Sequence, residues 1–569
     1  MRHLITSALP YINGIKHLGN LAGSMLPADV HARFLRAQGK EVVFICATDE
    51  HGTPAELAAA EAGQSVAEYC TEQHQIQGDI YKAFNLSFDG FGRTSAPENK
   101  ELTQHFCRQL EKNGYITEKS TKQVYAVDDK RFLPDRYVEG TCPKCGYANA
   151  RGDQCDSCGT LLDPVDLINP RSKITGSTNI ELRDTAHLFL QQPLLAGEVE
   201  KWVDVSTGWS PLTTSIARKW LNEGLQERSI TRDLEWGVKV TDVDGNPRQG
   251  FEDKVFYVWF DAPIGYIGAT QEWATATGND WQSWWRLDHG AKDVEYIQFM
   301  GKDNVAFHTV SFPVTILGSG EPWKLVDRIK AFNWVNWYGD KFSTSQKRGV
   351  FMDQALELLP PDYWRWYLMV NAPEGNDFAF TWETFQATIN GDLGNTLGNL
   401  VNRIAKFCES KFDGVIPDGG TDGPLEEQLY KDVAEKMAAL TQHHADINIR
   451  KAALETRALW VLGNEYLAQA APWTTIKADP AQAAVAVRTA LNLCVMLAVI
   501  SEPYIPATSR TILSHLGFND LPYGWPTGDI KALLQTLAPG TTITAPPVLF
   551  TRIEDEWVKE QAVRFGGAQ

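Results

Sequence analysis

Residues 7–20 read Ser-Ala-Leu-Pro-Tyr-Ile-Asn-Gly-Ile-Lys-His-Leu-Gly-Asn, SALPYINGIKHLGN. Before them, His3-Leu4-Ile5-Thr6 is a short apolar, β-branched run that predicts a strand. After them, a helix-like stretch runs from about Leu18 to Gly39, and Glu41–Cys46 (EVVFIC) has the apolar character of a buried parallel strand. Strand, loop, helix and strand in that order open a doubly wound α/β sheet. A loop that feeds a helix start makes an anion site, because free backbone N–H groups and the helix dipole both favour phosphate. His17 and Asn20 stand at that start and can donate hydrogen bonds, while Gly19 permits close backbone approach. A lone His-x-x-Asn would carry little weight; its neighbours decide.

The 569-residue chain is too long for one core and predicts three or four domains. Its net charge of −18 argues against a protein that coats nucleic acid non-specifically, though not against a local basic face. No uncharged apolar run reaches the ~18 residues of a membrane span, and MRHLITSALPY lacks a long signal core, so a cytoplasmic protein without a membrane partner is expected. Nine Cys, four of them clustered, fit one metal site better than a disulfide framework.

Outward from the first motif, turns and short strands dominate from about Tyr115 to Gly237, which reads as an insertion between two halves of the sheet. Val255–Phe260 and Val294–Phe299 then predict further buried strands. Beyond about Thr384 the chain reads almost wholly helical, with Glu426–His443, Ile449–Ala471 and Ala481–Ile500 carrying helical apolar spacing. The expected divisions are residues 1–115 and 238–330 for the two catalytic halves and 116–237 for the insertion. Residues 331–385 hold a loop and stem-contact region, and 386–569 form a helical bundle.

Cys142-x2-Cys145, nine residues, then Cys155-x2-Cys158 is the spacing of two knuckles around one tetrahedral zinc. Gly146 and Gly159 follow the knuckles and suit tight turns. With all four ligands Cys, no position is open to water, so the expected zinc is structural.

SALPYINGIKHLGN, followed by Asp29 and Arg33, resembles the signature of class I aminoacyl-tRNA synthetases, in its methionine-specific form. Leu18 and Asn20 stand where the family's His-Ile-Gly-His motif has Ile and the second His. Lys341-Phe342-Ser343-Thr344-Ser345 is similar to the family's second signature, Lys-Met-Ser-Lys-Ser, with Thr344 replacing the second Lys. The resemblance implies a Rossmann-like catalytic domain with a zinc-knuckle insertion, followed by an all-α anticodon-binding bundle. It implies that methionine is activated by ATP, with Mg²⁺ on the phosphates, and passed to tRNA(Met), initiator tRNA included. His17, Gly19, Asn20, Lys341, Ser343, Thr344 and Ser345 map to the phosphates, with Lys347 or Arg348 compensating the lost charge, and Asp303 maps to the ribose. Ala8, Leu9, Tyr11, Trp259, Ala262, Pro263, Tyr266, Asn304 and His308 map to the methionine pocket, Asp49 to its ammonium, and Arg232 beside methionine and phosphate. Asn399, Arg403 and Trp473 map to the anticodon. The insertion is too small for the editing domain of the isoleucine, valine and leucine enzymes. No appended dimerising domain follows the bundle, so a monomer is expected. Two alternatives remain: a class I enzyme for leucine or cysteine, and a zinc-knuckle RNA-binding protein without catalysis.

Overall fold

The computed structural model describes residues 1–153, 155, 157–158, 160, 162–342 and 348–566. Its centre is a sheet of five parallel strands: β1 (Arg2–Ser7), β2 (Val42–Thr48), β3 (Gly90–Arg93), β4 (Val294–Gly301) and β5 (Arg328–Phe332). Their spatial order is β5-β4-β1-β2-β3, so the winding reverses between β1 and β4. In open α/β sheets, ligands bind beyond the carboxyl ends of the strands at such a switch point. The two ends are joined there by the Ala8 amide, which donates to the Phe299 carbonyl at 2.8 Å.

The segment after β1 enters one continuous helix, Leu18–Ala37, with a π-helical turn at Leu21–Met25. The helix after β4 begins with a second π turn, Phe307–Ser311. π turns of this kind recur at functional sites, and here they flank both loops of the switch point.

Between β3 and β4 the chain leaves the sheet as a long antiparallel ribbon, Ile116–Ala126 against Ile180–Leu190, in register from Ile116 opposite Leu190 to Ala126 opposite Ile180. Its far end carries Val138–Thr141, flanked by Ala150–Arg151 and Ile168–Ser172.

One predicted strand is largely a helix. Only Val255–Phe256 is extended, and Val258–Thr277 is helical. The aromatic run favours a strand locally, but tertiary packing overrides it. Gly265 and Gly268 let this helix lie against Thr94 and Asn99: a Cβ on Gly268 would stand 3.0–3.2 Å from the Asn99 backbone and Cβ.

The C-terminal region holds the helices Asn399–Phe412, Pro424–Ala445, Ile449–Ala470 and Pro480–Ser501. Pro480–Ser501 is long and apolar enough to cross a membrane, but 94% of its most apolar stretch is covered by protein. It is the core helix of the bundle. Residues 516–554 are not helical as expected, apart from one turn at Ile530–Leu533. Pro522, Pro526, Pro539, Pro546 and Pro547 remove backbone donors there. The last helix, Asp555–Phe565, then returns to Trp382–Thr388, where Trp557 meets Trp382 edge to face at 5.3 Å.

Candidate functional site

The start of the Leu18 helix is closed by a reciprocal cap. The Asn20 amide donates to His17 Nδ1, and the His17 amide donates to Asn20 Oδ1, both at 3.3 Å. Because Nδ1 accepts, the His17 proton sits on Nε2. Burial, with Lys16 next to it, pushes the imidazole down to about 3, so it stays neutral. The cap leaves His17 Nε2–H and the Asn20 amide NH2 as donors for an anion. Gly19 has a spatial duty the sequence did not show: a Cβ there would lie 3.0 Å from His17 Nδ1.

The flanks of the second motif pack onto this cap. Phe342 stacks on His17 with ring centroids 4.9 Å apart, and Phe351 meets it edge-on at 6.3 Å. The Leu18 amide donates to the Val350 carbonyl, and the Met352 amide to the Lys16 carbonyl. A Cβ on Gly349, at φ +96°, would collide with Phe342, so glycine is needed there on both counts. Lys341 is exposed, with Nζ 4.5 Å from the centroid of the Trp334 ring, and Arg348 pairs with Asp340 at 3.6 Å. Ser343, Thr344, Ser345 and Lys347, like Gly159 of the second knuckle, lie outside the described residues.

The candidate amino-acid pocket joins the end of β2 to the loop after β1. The Asp49 amide donates to Pro10 and the Ile12 amide to Asp49, which sets Tyr11 beside Asp49. Asp49 is buried, and its Oδ1 has no hydrogen-bond partner. Burial, then the nearby Asp261 and Glu50 carboxyls, push its own carboxyl well above the usual range. An unpaired buried carboxylate is costly, and an ammonium guest would relieve it. Lys16 is also buried; it donates to Asn13 Oδ1 at 2.9 Å, and desolvation pushes its ammonium down to about 7.

Across the pocket, Trp259 Nε1 donates to Tyr11 Oη at 3.2 Å. The Tyr266 hydroxyl and His308 Nε2 are 2.9 Å apart, and His308 Nδ1 is 2.8 Å from the Asn304 carbonyl oxygen. A carbonyl only accepts, so His308 carries its proton on Nδ1 and accepts from Tyr266. Burial holds this imidazole down to about 4, leaving a neutral wall suited to a thioether. Asn304 contributes its carbonyl to this contact rather than its side chain. Leu9 packs at Gly265, Ala8 is half-buried, and Ala262 and Pro263 lie in the first turns of the Val258 helix. Arg232 is turned to Asp135 at 3.3 Å and lies 3.6 Å over the Tyr257 ring. Asp303 is exposed, with Oδ1 against the Cα of Gly301, where a Cβ would stand only 2.6 Å from it.

The four clustered Cys Sγ atoms lie within 4.8 Å of one another. Cys142 and Cys158 are 3.9 Å apart, and Cys145 and Cys155 3.7 Å. Tetrahedral zinc with bonds near 2.3 Å requires edges of about 3.8 Å. The four thiols therefore fit zinc. In the bundle, Arg403 lies one turn after Asn399 on the Asn399–Phe412 helix, and its guanidinium sits 4.5 Å over Trp473.

Sequence reasoning missed Lys16, Phe351, Trp334 and Phe307, whose ring lies tilted against Trp259 with centroids 4.6 Å apart. Lys16 and Phe307 adjoin recognised motif residues, so adjacency was the available signal. Trp334 and Phe351 carried none, because long-range pairing places them.

Family models match nearly the whole chain. Residues 3–405 match tRNA synthetases class I (M), and residues 416–569 match the anticodon binding domain of methionyl tRNA ligase. A methionine–tRNA ligase of Caulobacter vibrioides is 64% identical over 569 residues, covering 100% of both chains. Another, from Hyphomonas neptunium, is 63% identical, covering 100% of this chain and 99% of that one. Among solved structures, Mycobacterium tuberculosis methionyl-tRNA synthetase bound by methionyl-adenylate superposes with TM-score 0.77 at 23% identity, over 97% of this chain and 100% of that one, a likeness of fold. With the sheet order, the capped HLGN helix and the four-cysteine cluster in place, the chain belongs to the class I tRNA synthetases of the methionine type.

Proposed function

We infer that this chain is a methionine–tRNA ligase: it joins L-methionine to ATP as methionyl-adenylate, releasing pyrophosphate, then passes the methionyl group to the 3′-terminal adenosine of tRNA(Met), initiator tRNA included. The observation that carries this reading is the orphaned Asp49 carboxylate facing the neutral Tyr266–His308 wall at the switch point. Asp49 takes the substrate ammonium. Ala8, Leu9, Tyr11, Trp259, Ala262, Pro263 and the Asn304–His308 turn enclose the side chain. A methionine carboxylate oxygen then attacks the α-phosphorus, and the bond to the bridging oxygen of pyrophosphate breaks.

No side chain needs to take a proton, so positioning and charge stabilisation carry the step. His17 and Asn20 donate to phosphate oxygens, Asp303 holds the ribose, and Lys341, Ser343, Thr344 and Ser345 meet the triphosphate as their loop closes. Mg²⁺ bound with ATP neutralises phosphate charge. Arg232 supports the methionine end. Residues 1–115 and 238–330 perform activation, 116–237 carry structural zinc, 331–385 bring the second motif, and 386–569 read the anticodon through Asn399, Arg403 and Trp473. The same reading takes the enzyme as a cytoplasmic monomer, which sedimentation checks for its oligomeric part.

Methionine-dependent ATP–pyrophosphate exchange tests it. Wild type exchanges with methionine and not with leucine or cysteine, and Lys341→Ala loses most of the rate. Exchange with leucine or cysteine instead would overturn the substrate, and a normal Lys341→Ala would overturn that residue's role.

A further inference from the structure

Among the described residues, Lys16 and Lys254 are the buried lysines. Lys254 is ion-paired to Asp233, as a buried ammonium ordinarily requires. Lys16, 6% exposed, makes no ion pair there: its Nζ donates to the neutral Asn13 Oδ1 at 2.9 Å. Asn13 takes one of its N–H donors and leaves the others for a guest. Two site residues feel its charge. Asp49 supports the Lys16 ammonium against desolvation, and the ammonium in turn keeps His17 uncharged. The backbone at this point is held from both sides. The Met352 amide donates to the Lys16 carbonyl at 2.9 Å. Buried Gln77 donates from Nε2 to the Tyr11 and Gly14 carbonyls at 3.2 and 3.1 Å. A cation fixed in this way needs no reorganisation when negative charge develops beside it. The other cations around the site are engaged or exposed. Arg232 pairs with Asp135, Arg348 with Asp340 and Lys302 with Asp377, while Lys341 is exposed.

The ammonium and carboxylate of methionine are borne by the same carbon. With the ammonium on Asp49 and the triphosphate on His17, the carboxylate and the α-phosphate meet between those two residues, in the field of Lys16. Two anions brought together repel, and a desolvated ammonium beside them offsets that repulsion. We propose that Lys16 is a further catalytic residue of the activation step: its ammonium donates to oxygens of the methionine carboxylate and the α-phosphate as they join. A carboxylate oxygen bonds to phosphorus, the bond to the bridging oxygen breaks, and pyrophosphate leaves with the electron pair. Lys16 keeps its proton throughout. The proposal rests on the ligase reading. It adds a cation supplied by the first motif, in a chain whose second motif has Thr344 in place of a lysine.

Lys16→Met, which keeps the length and removes the charge, and Lys16→Gln are compared with wild type in three measurements. These are methionine affinity by equilibrium dialysis, the single-turnover rate of adenylate formation at saturating methionine and ATP, and affinity for the unreactive ester of methioninol with AMP. Methionine affinity should stay within about three-fold of wild type, since Asp49 and the pocket are intact. The rate should fall about 100- to 1,000-fold in both variants, as for loss of one donor to developing charge. The ester carries the α-phosphate, so its affinity should weaken about 10-fold or more, as for loss of a charge-assisted hydrogen bond. A loss of methionine affinity as large as the loss of rate would overturn the proposal, because Lys16 would then serve only to hold Asp49. An unchanged rate, or unchanged affinity for the ester, would overturn it too. If Lys16→Met fails to fold, Lys16→Gln carries the same comparison. A wild type without methionine-dependent pyrophosphate exchange would instead overturn the ligase reading.

Discussion

Asp49 carries the features that would set a binding residue apart from a structural one. Its Oδ1 is buried without a partner, and the neighbouring Asp261 and Glu50 disfavour its charge. The free protein therefore bears a penalty that a bound ammonium would relieve. Asp49→Asn keeps the shape and removes the charge. It should raise the thermal midpoint of the free protein while lowering kcat/KM for methionine by about 100-fold or more, the usual cost of deleting one partner of a desolvated charge pair. Calorimetry and pyrophosphate exchange on one preparation check both signs, and a variant that loses stability along with activity would make Asp49 a structural residue. The sequence showed Asp49, Tyr11 and Trp259 as polar or aromatic groups at motif positions. It did not show that His17 is neutral or that Phe342 lies on it, because those facts depend on segments more than 300 residues apart.

Individual elements were legible where periodicity and local chemistry agree. The β1–β2 unit, the ribbon's Cys pairs and the long bundle helices all satisfy this. The sequence misled where they disagree: Val258–Phe260 are strand-like in composition, yet glycines four and seven residues beyond Asp261 let a helix pack tightly. The zinc knuckle has little core of its own, the small cluster around Cys142, Cys155, Val138 and Tyr137. Cys142→Ser, or strong chelation, should release the metal and speed hydrogen exchange over residues 138–172 without altering that of β1 and β4, because metal binding here is local folding energy. Elsewhere, Arg365 on the Pro361–Val370 helix joins four segments. It donates to Asp29 Oδ2 at 2.7 Å and to the carbonyls of Phe84, Pro503 and Tyr504. Burial alone would raise the Asp29 carboxyl, but Arg33 and Arg365 outweigh it and hold it near 2. Arg365→Met would leave Asp29 short of one buried partner and should cost about 3–5 kcal/mol in urea unfolding.

At the scale of the whole molecule, the order of parts was readable from motif order, whereas the docking of bundle onto catalytic core was not, since it rests on contacts between distant elements, polar and aromatic. His444 is one of them. It ends the Pro424–Ala445 helix, stacks on Phe34 of the HLGN helix at 4.5 Å, and meets Trp525 edge-on at 5.1 Å. It is fully buried, and desolvation, then His443, push its imidazole down to about 3. In the unfolded chain it takes a proton near 6.5. Between these values the unfolded state binds more protons, so acidification favours unfolding by about 1.4 kcal/mol per pH unit from this one group. His444→Phe keeps the ring stack and removes the proton. The stability of wild type relative to this variant should be constant above pH 7 and fall at about that slope as pH drops from 6.5 toward 4. Other titrating groups common to both proteins cancel in the difference. Urea unfolding at several pH values measures it, and a difference independent of pH would mean that His444 is not held neutral at the domain junction.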